Sequence, residues 1–296
     1  MKNNINTSTM KNILFVFALL SILNTGAQDR FAKVQITSTE VSENTFMLTG
    51  AGGNIMIAID KEKVVMIDDQ FAPLSDKIKD AIAGITDYPI AYLINTHHHG
   101  DHTGGNGNFN SKETIIVAHV NVKERLIAEG KEENFIPEMT LEEELELQLP
   151  TQTCLLIHVH NAHTDGDTFI FFVQENVVHM GDVFFNAKYP YIDLKSGGSI
   201  DGYIAAQERV LSTINEETKI IPGHGTLASY EDLRNNIEML VDIKENIASK
   251  IKKGVSKEDI IADKTITAAY DAKGYGDGFI NAERFRTTVY ESITGQ

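Results

Sequence analysis

Over residues 34–69 the apolar positions come in short runs, VQITST, TFMLT, NIMIAID and VVMIDD, broken by Gly50, Gly52 and Gly53 and by the charged turn Lys61-Glu62-Lys63. Runs of that length between turn residues predict strands, so the chain opens as a β-meander. Ile78, Ala81, Ile82 and Ile85 then fall at i, i+3, i+4 and i+7, which predicts a short helix with Ser75 as its cap. The apolar run 90–94 predicts a strand that empties into the polar, glycine-rich stretch 95–110. Ligand-binding residues favour that location, just beyond a strand's C-terminal end.

A strand at 114–118 and a helix at 120–129 follow, and then a second set of strand patterns: LELQL, TCLLIHVHN, TFIFFVQ and VVHMGD. Residues 204–214 and 233–251 carry helical periodicity and are separated by a strand at 219–222 and the loop Gly223-His224-Gly225. Two halves, each running from strands to helices, predict two sheets packed face to face with helices outside. No proline-rich or glycine-serine linker divides them and no repeat of 20 to 50 residues is visible, so residues 28–296 read as one domain. From Gly254 onward the pattern is a helical tail with a glycine-rich break at 274–278. The acidic stretch 138–146 reads as a solvated face.

The first residues are different in kind. Lys2 and Lys11 precede the run ILFVFALLSIL at 13–23, after which Thr25, Gly26 and Ala27 lead into polar sequence. This is the three-part layout of a secretory signal peptide, cleaved after Ala27. The run is too short for the roughly 20 residues a membrane span needs, so the expectation is a periplasmic or secreted protein with no stable membrane anchor.

Charge narrows the partners. Against 26 basic residues stand 42 acidic ones, a net −16, which opposes binding to nucleic acid and favours a small-molecule substrate. Nothing in the pattern sets an oligomeric state. The single cysteine, Cys154, can form no internal disulfide and excludes a cysteine-rich zinc framework. In TCLLI it reads as a small buried hydrophobe.

The strongest chemical signal is THHHGDHTGGN at 96–106. At this composition the pattern H-x-H-x-D-H is expected about 0.0007 times by chance. His97 and His99 of an extended segment project to one side, while Asp101 and His102, after a glycine, can turn to the other. Of the remaining histidines, His163 in AHTDGD and His224 in PGHG sit in loops with small neighbours, as does Asp182 in MGD. His119, His158, His160 and His179 lie on or beside apolar strands and read as hydrogen-bonded packing groups. Imidazole and carboxylate donors without thiolate suit zinc in an open, catalytic site.

Taken in order, HHHGDH, AHTDGD, MGD and PGHG resemble the metal-binding motifs of the metallo-β-lactamase superfamily, over about residues 34–230. The resemblance implies an α/β fold, an αββα sandwich of two mixed sheets flanked by helices. It implies two zinc ions, the first held by His97, His99 and His163, the second by Asp101, His102 and His224, with Asp182 bridging them. It makes Asp68 the family's aspartate that supports a ligand from behind, and Asp101 the carboxylate that orients water and passes a proton to the leaving group. The implied activity is hydrolysis of a lactone, thioester or β-lactam. Secreted β-lactamases of one subclass have cysteine where Asp182 stands and a substrate-binding lysine where this chain has Phe185, which turns the reading away from a dedicated β-lactamase. Lys188 is a candidate replacement for that lysine. The long segment 184–199 is expected to wall the site, with Phe184, Phe185 and Tyr191 on the apolar part of a substrate and Lys188 on a carboxylate. Competing readings are a β-lactamase proper and a zinc-binding module without catalysis. A di-iron redox site is disfavoured because it needs a glutamate where this chain has His99.

Overall fold

Strands form where the sequence alternates, and they assemble into two sheets. In the computed structural model, which describes residues 30–296, the first sheet runs in chain order from β1 (Thr37–Ser42) through β2 (Thr45–Thr49), β3 (Ile55–Asp60), β4 (Lys63–Ile67), β5 (Ile90–Ile94) and β6 (Ile115–His119) to β7 (Met139–Leu141). It is antiparallel as far as β4 and parallel from β4 to β7. The second sheet holds β8 (Glu144–Gln148), β9 (Thr153–His158), β10 (Thr168–Phe172), β11 (Val177–His179) and β12 (Lys219–Ile221), in the order β12-β11-β10-β9-β8. Its one parallel pair is β11 with β12.

The period of two decides which side chains meet. Ile170 and Phe172 of β10, with Cys154 and Leu156 of β9, face Met56, Val65, Ile67, Ile94 and Val117 of the other sheet in one buried layer. Phe169, one residue out of phase, belongs to a second layer, where Val178 and Ile220 pack against helices. Those helices are α3 (Ile200–Thr213), α4 (Tyr230–Lys252), α5 (Lys257–Ala262) and α6 (Ala282–Thr294). Earlier in the chain are α1 (Ser75–Ala83) and α2 (Val120–Ala128), the latter packing Val122 and Leu126 on Ala118 of β6. The result is the expected sandwich of two mixed sheets between helices.

Residues 36–296 make one compact unit; of a separate N-terminal unit, residues 30–35 are described and form a short helical turn followed by extended chain. The signal-peptide reading of 1–27 lies outside the described residues. Among the described residues no helix is long and apolar enough to cross a membrane.

Some local expectations are corrected. Ser75 is the first residue of α1 rather than its cap, and its hydroxyl instead accepts from the Asn108 side chain at 2.9 Å. Ile85 lies beyond the helix end. The acidic stretch 138–146 keeps all five glutamates exposed, as expected of a solvated face, but it also holds β7 and the start of β8, with Leu141 buried and the Glu138 carboxylate accepting the Ile116 N–H at 2.8 Å. The glycine-rich stretch 95–110 is not all loop, since single helical turns form at Gly100–Thr103 and Asn106–Phe109.

Candidate metal centre

Each candidate residue sits where a strand lets go of its sheet. Asp68 follows β4, residues 97–102 follow β5, His163 lies between β9 and β10, Asp182 follows β11 and His224 follows β12. Backbone hydrogen bonds lock these ends together: Asp68 N–H donates to Ile94 at 2.9 Å, Asp69 N–H to His102 at 2.9 Å, and Thr168 N–H of the second sheet to Thr96 of the first at 2.9 Å. Asp182 lies in a single turn of 3-10 helix, Gly181–Val183, rather than on the strand itself.

His97, His99, His163 and Asp182 form one group. His99 Nδ1 lies 3.1 Å from His97 Nε2 and 2.9 Å from His163 Nε2, and Asp182 Oδ2 stands 3.8 Å from His97 Nε2 and 3.6 Å from His163 Nε2. Asp101, His102 and His224 form a second group. Its Asp101 Oδ2 is 3.4 Å from His224 Nε2 and 3.9 Å from His102 Nε2. Asp182 turns its other oxygen to this group, Oδ1 being 3.0 Å from His102 Nε2 and 3.3 Å from His224 Nε2. One carboxylate therefore stands between two ligand sets, one oxygen toward each. Close as they are, His102 Nε2 and Asp182 Oδ1 are misaligned, and both are buried without a hydrogen-bond partner. Buried donors and acceptors are rarely left so. Imidazole nitrogens and carboxylate oxygens converging in this way suit a metal ion, and the donor set fits zinc.

A supporting group fixes four of the five rings from behind. Asp68 Oδ2 is 2.7 Å from His102 Nδ1, and Asp68 also accepts the Thr96 N–H and hydroxyl, each at 2.8 Å. The Tyr191 carbonyl takes His163 Nδ1 at 2.7 Å, and the Thr96 hydroxyl meets His97 Nδ1 at 3.0 Å. His99 Nε2 is held by Asp193 Oδ2 at 3.1 Å. The sequence reading missed Asp193, whose only one-dimensional signal is its place in the long segment after Asp182. Asp167 is both turn former and support: it accepts the N–H groups of His163 at 2.6 Å and Thr164 at 2.7 Å.

The electrostatics divide by group. Burial holds His97 well below the ordinary imidazole value and His163 at about 4, so both are neutral donors near pH 7. At His102 and His224 burial acts in the same sense, but the carboxylates override it. Asp182, Asp68 and Asp101 lift His102, and Asp182 and Asp101 lift His224 to about 9. Burial opposes the charge on Asp182, yet His224 and His102 draw its carboxyl well below the usual range.

Glycine is obligatory at two approaches. A Cβ on Gly53 would lie 2.0 Å from His102 Cε1, and one on Gly223 would lie 2.1 Å from Asp182 Oδ1. Both glycines let backbone pass directly behind a candidate ligand.

The walls are partly as expected. The Tyr191 ring is 5.9 Å from that of His99 and 5.8 Å from that of His163, and Phe185 stacks on His224 at 4.8 Å. Phe184, expected to touch substrate, is instead fully buried among the helices. Lys188 lies against Gly278 of the C-terminal tail. His98 joins neither set and reaches the outer side of His99 with Asp193. His119, His158 and His179 pack with hydrogen bonds, whereas His160 is exposed and pairs with Glu143 at 3.3 Å. Cys154 is buried and its thiol is pushed up strongly, which makes it inert.

A family model described as "Metallo-beta-lactamase superfamily" matches residues 48–224. Among curated protein sequences none matches. Solved structures do. A metallo-beta-lactamase from Pontibacter korlensis has 17% sequence identity and a TM-score of 0.61, covering 70% of this chain and all of its own. The DIM-1 metallo-beta-lactamase has 19% identity and a TM-score of 0.61, covering 70% of this chain and 98% of its own. The metallo-beta-lactamase IND-7 has 18% identity and a TM-score of 0.60, covering 71% and 98%.

Proposed function

This chain belongs to the metallo-β-lactamase superfamily, and from that premise we propose that it is an exported hydrolase that holds two zinc ions and cleaves the acyl bond of a small lactone, thioester or β-lactam. The observation that carries the reading is Asp182, whose two oxygens face two separate ligand sets. His97, His99 and His163 would hold the first ion, Asp101, His102 and His224 the second, and Asp182 would bridge. A zinc pair supplies Lewis acidity, which polarises an acyl carbonyl and makes water nucleophilic near neutral pH.

The chain's own groups do the rest. Asp101 carries the more exposed carboxylate of the cluster, its side chain 27% accessible against 5% for Asp182. Burial opposes its charge, but His102 and His224 keep it ionised. It is thus placed to orient the attacking water, accept its proton and return it to the leaving group. Asp68, Asp193, the Thr96 hydroxyl and the Tyr191 carbonyl hold the four ring planes. Phe185 and Tyr191 offer apolar walls, and Lys188 can meet a substrate carboxylate. The β-lactamase names of the solved relatives make a β-lactam a necessary member of any panel, but Asp182 and Phe185 favour the lactone and thioester classes.

The test is elemental analysis beside turnover. Protein purified without chelator should carry two zinc ions per chain and hydrolyse at least one class among lactones, thioesters and a chromogenic cephalosporin, with activity lost to chelator and restored by zinc. Asp182→Ala should lower turnover by about 10- to 100-fold and weaken the second ion most. One ion per chain, or unchanged affinity at both sites in that variant, would overturn the bridged pair.

A further inference from the structure

We propose that the C-terminal extension completes the substrate site: Arg284 and Phe279, with Lys188, form a clamp that selects substrates bearing a carboxylate on an apolar group remote from the scissile bond. What happens to the bound molecule rests on the hydrolase reading above; the clamp itself does not.

The family match ends at residue 224, so the extension lies beyond it. Tyr189 ties the two together. Its backbone N–H donates to Tyr275 at 3.1 Å, its hydroxyl donates to Asp271 Oδ1 at 2.8 Å, and its ring stacks on Phe285 of α6 at 4.9 Å. Two residues later Tyr191 turns its ring to His99 and His163. The wall of the metal centre is therefore bolted to the extension through one buried tyrosine.

The outer side of Tyr191 is where the extension arrives. The Arg284 guanidinium lies 5.4 Å from the Tyr191 ring and 4.9 Å from the Phe279 ring, and the two rings meet edge to face at 6.1 Å. Phe279 is 75% exposed, more than any other large apolar side chain described. Neither Arg284 nor Lys188, which abuts the neighbouring Gly278, has a carboxylate partner within ion-pair distance among the described residues, so both charges are available to a ligand. Arg284 thus lies on the exposed Phe279 ring, and Lys188 approaches the residue just before it. The carboxylate nearest Tyr191, Asp193, is already engaged by His99 and by the N–H groups of Lys195 and Ser196.

Folding has little use for this arrangement, since an exposed ring buries little surface. A ligand has use for it. A guanidinium lying on aromatic faces keeps its edge N–H groups free for bidentate pairing with a carboxylate, and its position is fixed by the stacking. A substrate whose carbonyl sits at the cluster would lay its apolar group on Tyr191 and Phe279 and its carboxylate on Arg284 and Lys188.

The test is binding to the full chain, metal-loaded and metal-free, by titration calorimetry with 4-phenylbutyrate and its neutral isostere 4-phenylbutyramide. We expect the acid to bind at least tenfold more tightly. That preference should fall below about twofold in Arg284→Gln, and both ligands should weaken in Phe279→Ala. Both side chains are exposed, so the fold should survive, as circular dichroism can verify. No binding of either probe, no preference for the acid, or a preference unchanged in Arg284→Gln would each overturn the clamp. A chain that turns over nothing yet keeps the Arg284-dependent preference would remove the hydrolase reading and leave the clamp standing.

Discussion

A histidine that presents one ring nitrogen to a metal almost always has the other held by a hydrogen bond that fixes its proton. Here Asp68 instructs His102, the Tyr191 carbonyl His163, the Thr96 hydroxyl His97 and Asp193 His99. That these residues converge was legible in the sequence, because an H-x-H-x-D-H cluster on a glycine-rich loop has no cheap alternative explanation, and Asp68 through the family's motif. Asp193 was not, because nothing in a lone aspartate reveals that it lies 3.1 Å from an imidazole 94 residues away. Asp193→Ala should therefore weaken the first metal by about 10- to 100-fold, read by chelator competition, with Asp193→Asn recovering part of the loss because its amide oxygen still accepts from Nε2. Wild-type affinity in Asp193→Ala would show that His99 needs no such support.

Elements were legible to the degree that their periodicity was long. The strands of both sheets and the two longest helices follow their apolar spacing, whereas β7 has only three residues and one fully buried side chain, Leu141, in an acidic stretch. The cap of α4 shows local chemistry at work: Ser229 and Asp232 satisfy each other's backbone N–H groups. Ser229→Ala should cost about 1 kcal/mol in denaturant unfolding without altering metal content. Where β6 and β9 end, His119 and His158 stack at 3.8 Å, and burial, then His119, hold His158 at about 4. A histidine kept neutral by the fold adds stability above its unfolded value near 6.5, and that stability is lost as pH falls toward 4. In metal-free protein the melting temperature should drop across that window, and less steeply in His158→Asn. Equal slopes would mean that other groups carry the acid sensitivity.

At the scale of the molecule, the two candidate ligand sets lie where metal bound as proposed would fasten one layer to the other. His97, His99, Asp101 and His102 belong to the end of β5 in the first sheet, and His163, Asp182 and His224 to loops of the second. The sandwich has its own apolar layer between the sheets, so it should fold without metal. Metal-free, however, its loop ends bring buried Asp68 and Asp182 beside imidazoles that stay charged only because those carboxylates are there. An ion bound by the folded state and not by the unfolded chain adds RT ln(1 + [L]/Kd), about 2.7 kcal/mol at a hundredfold excess over Kd. Removing zinc with chelator should thus lower the melting temperature of the intact chain by several degrees and leave its far-ultraviolet circular dichroism unchanged. Gly223→Ala should mimic the loss. A methyl 2.1 Å from Asp182 Oδ1 must displace that carboxylate, so, if Asp182 bridges as proposed, zinc should no longer raise the melting temperature of that variant. Full zinc stabilisation in Gly223→Ala would mean that Asp182 can move without cost, and the fastening would have to reside in the histidines alone.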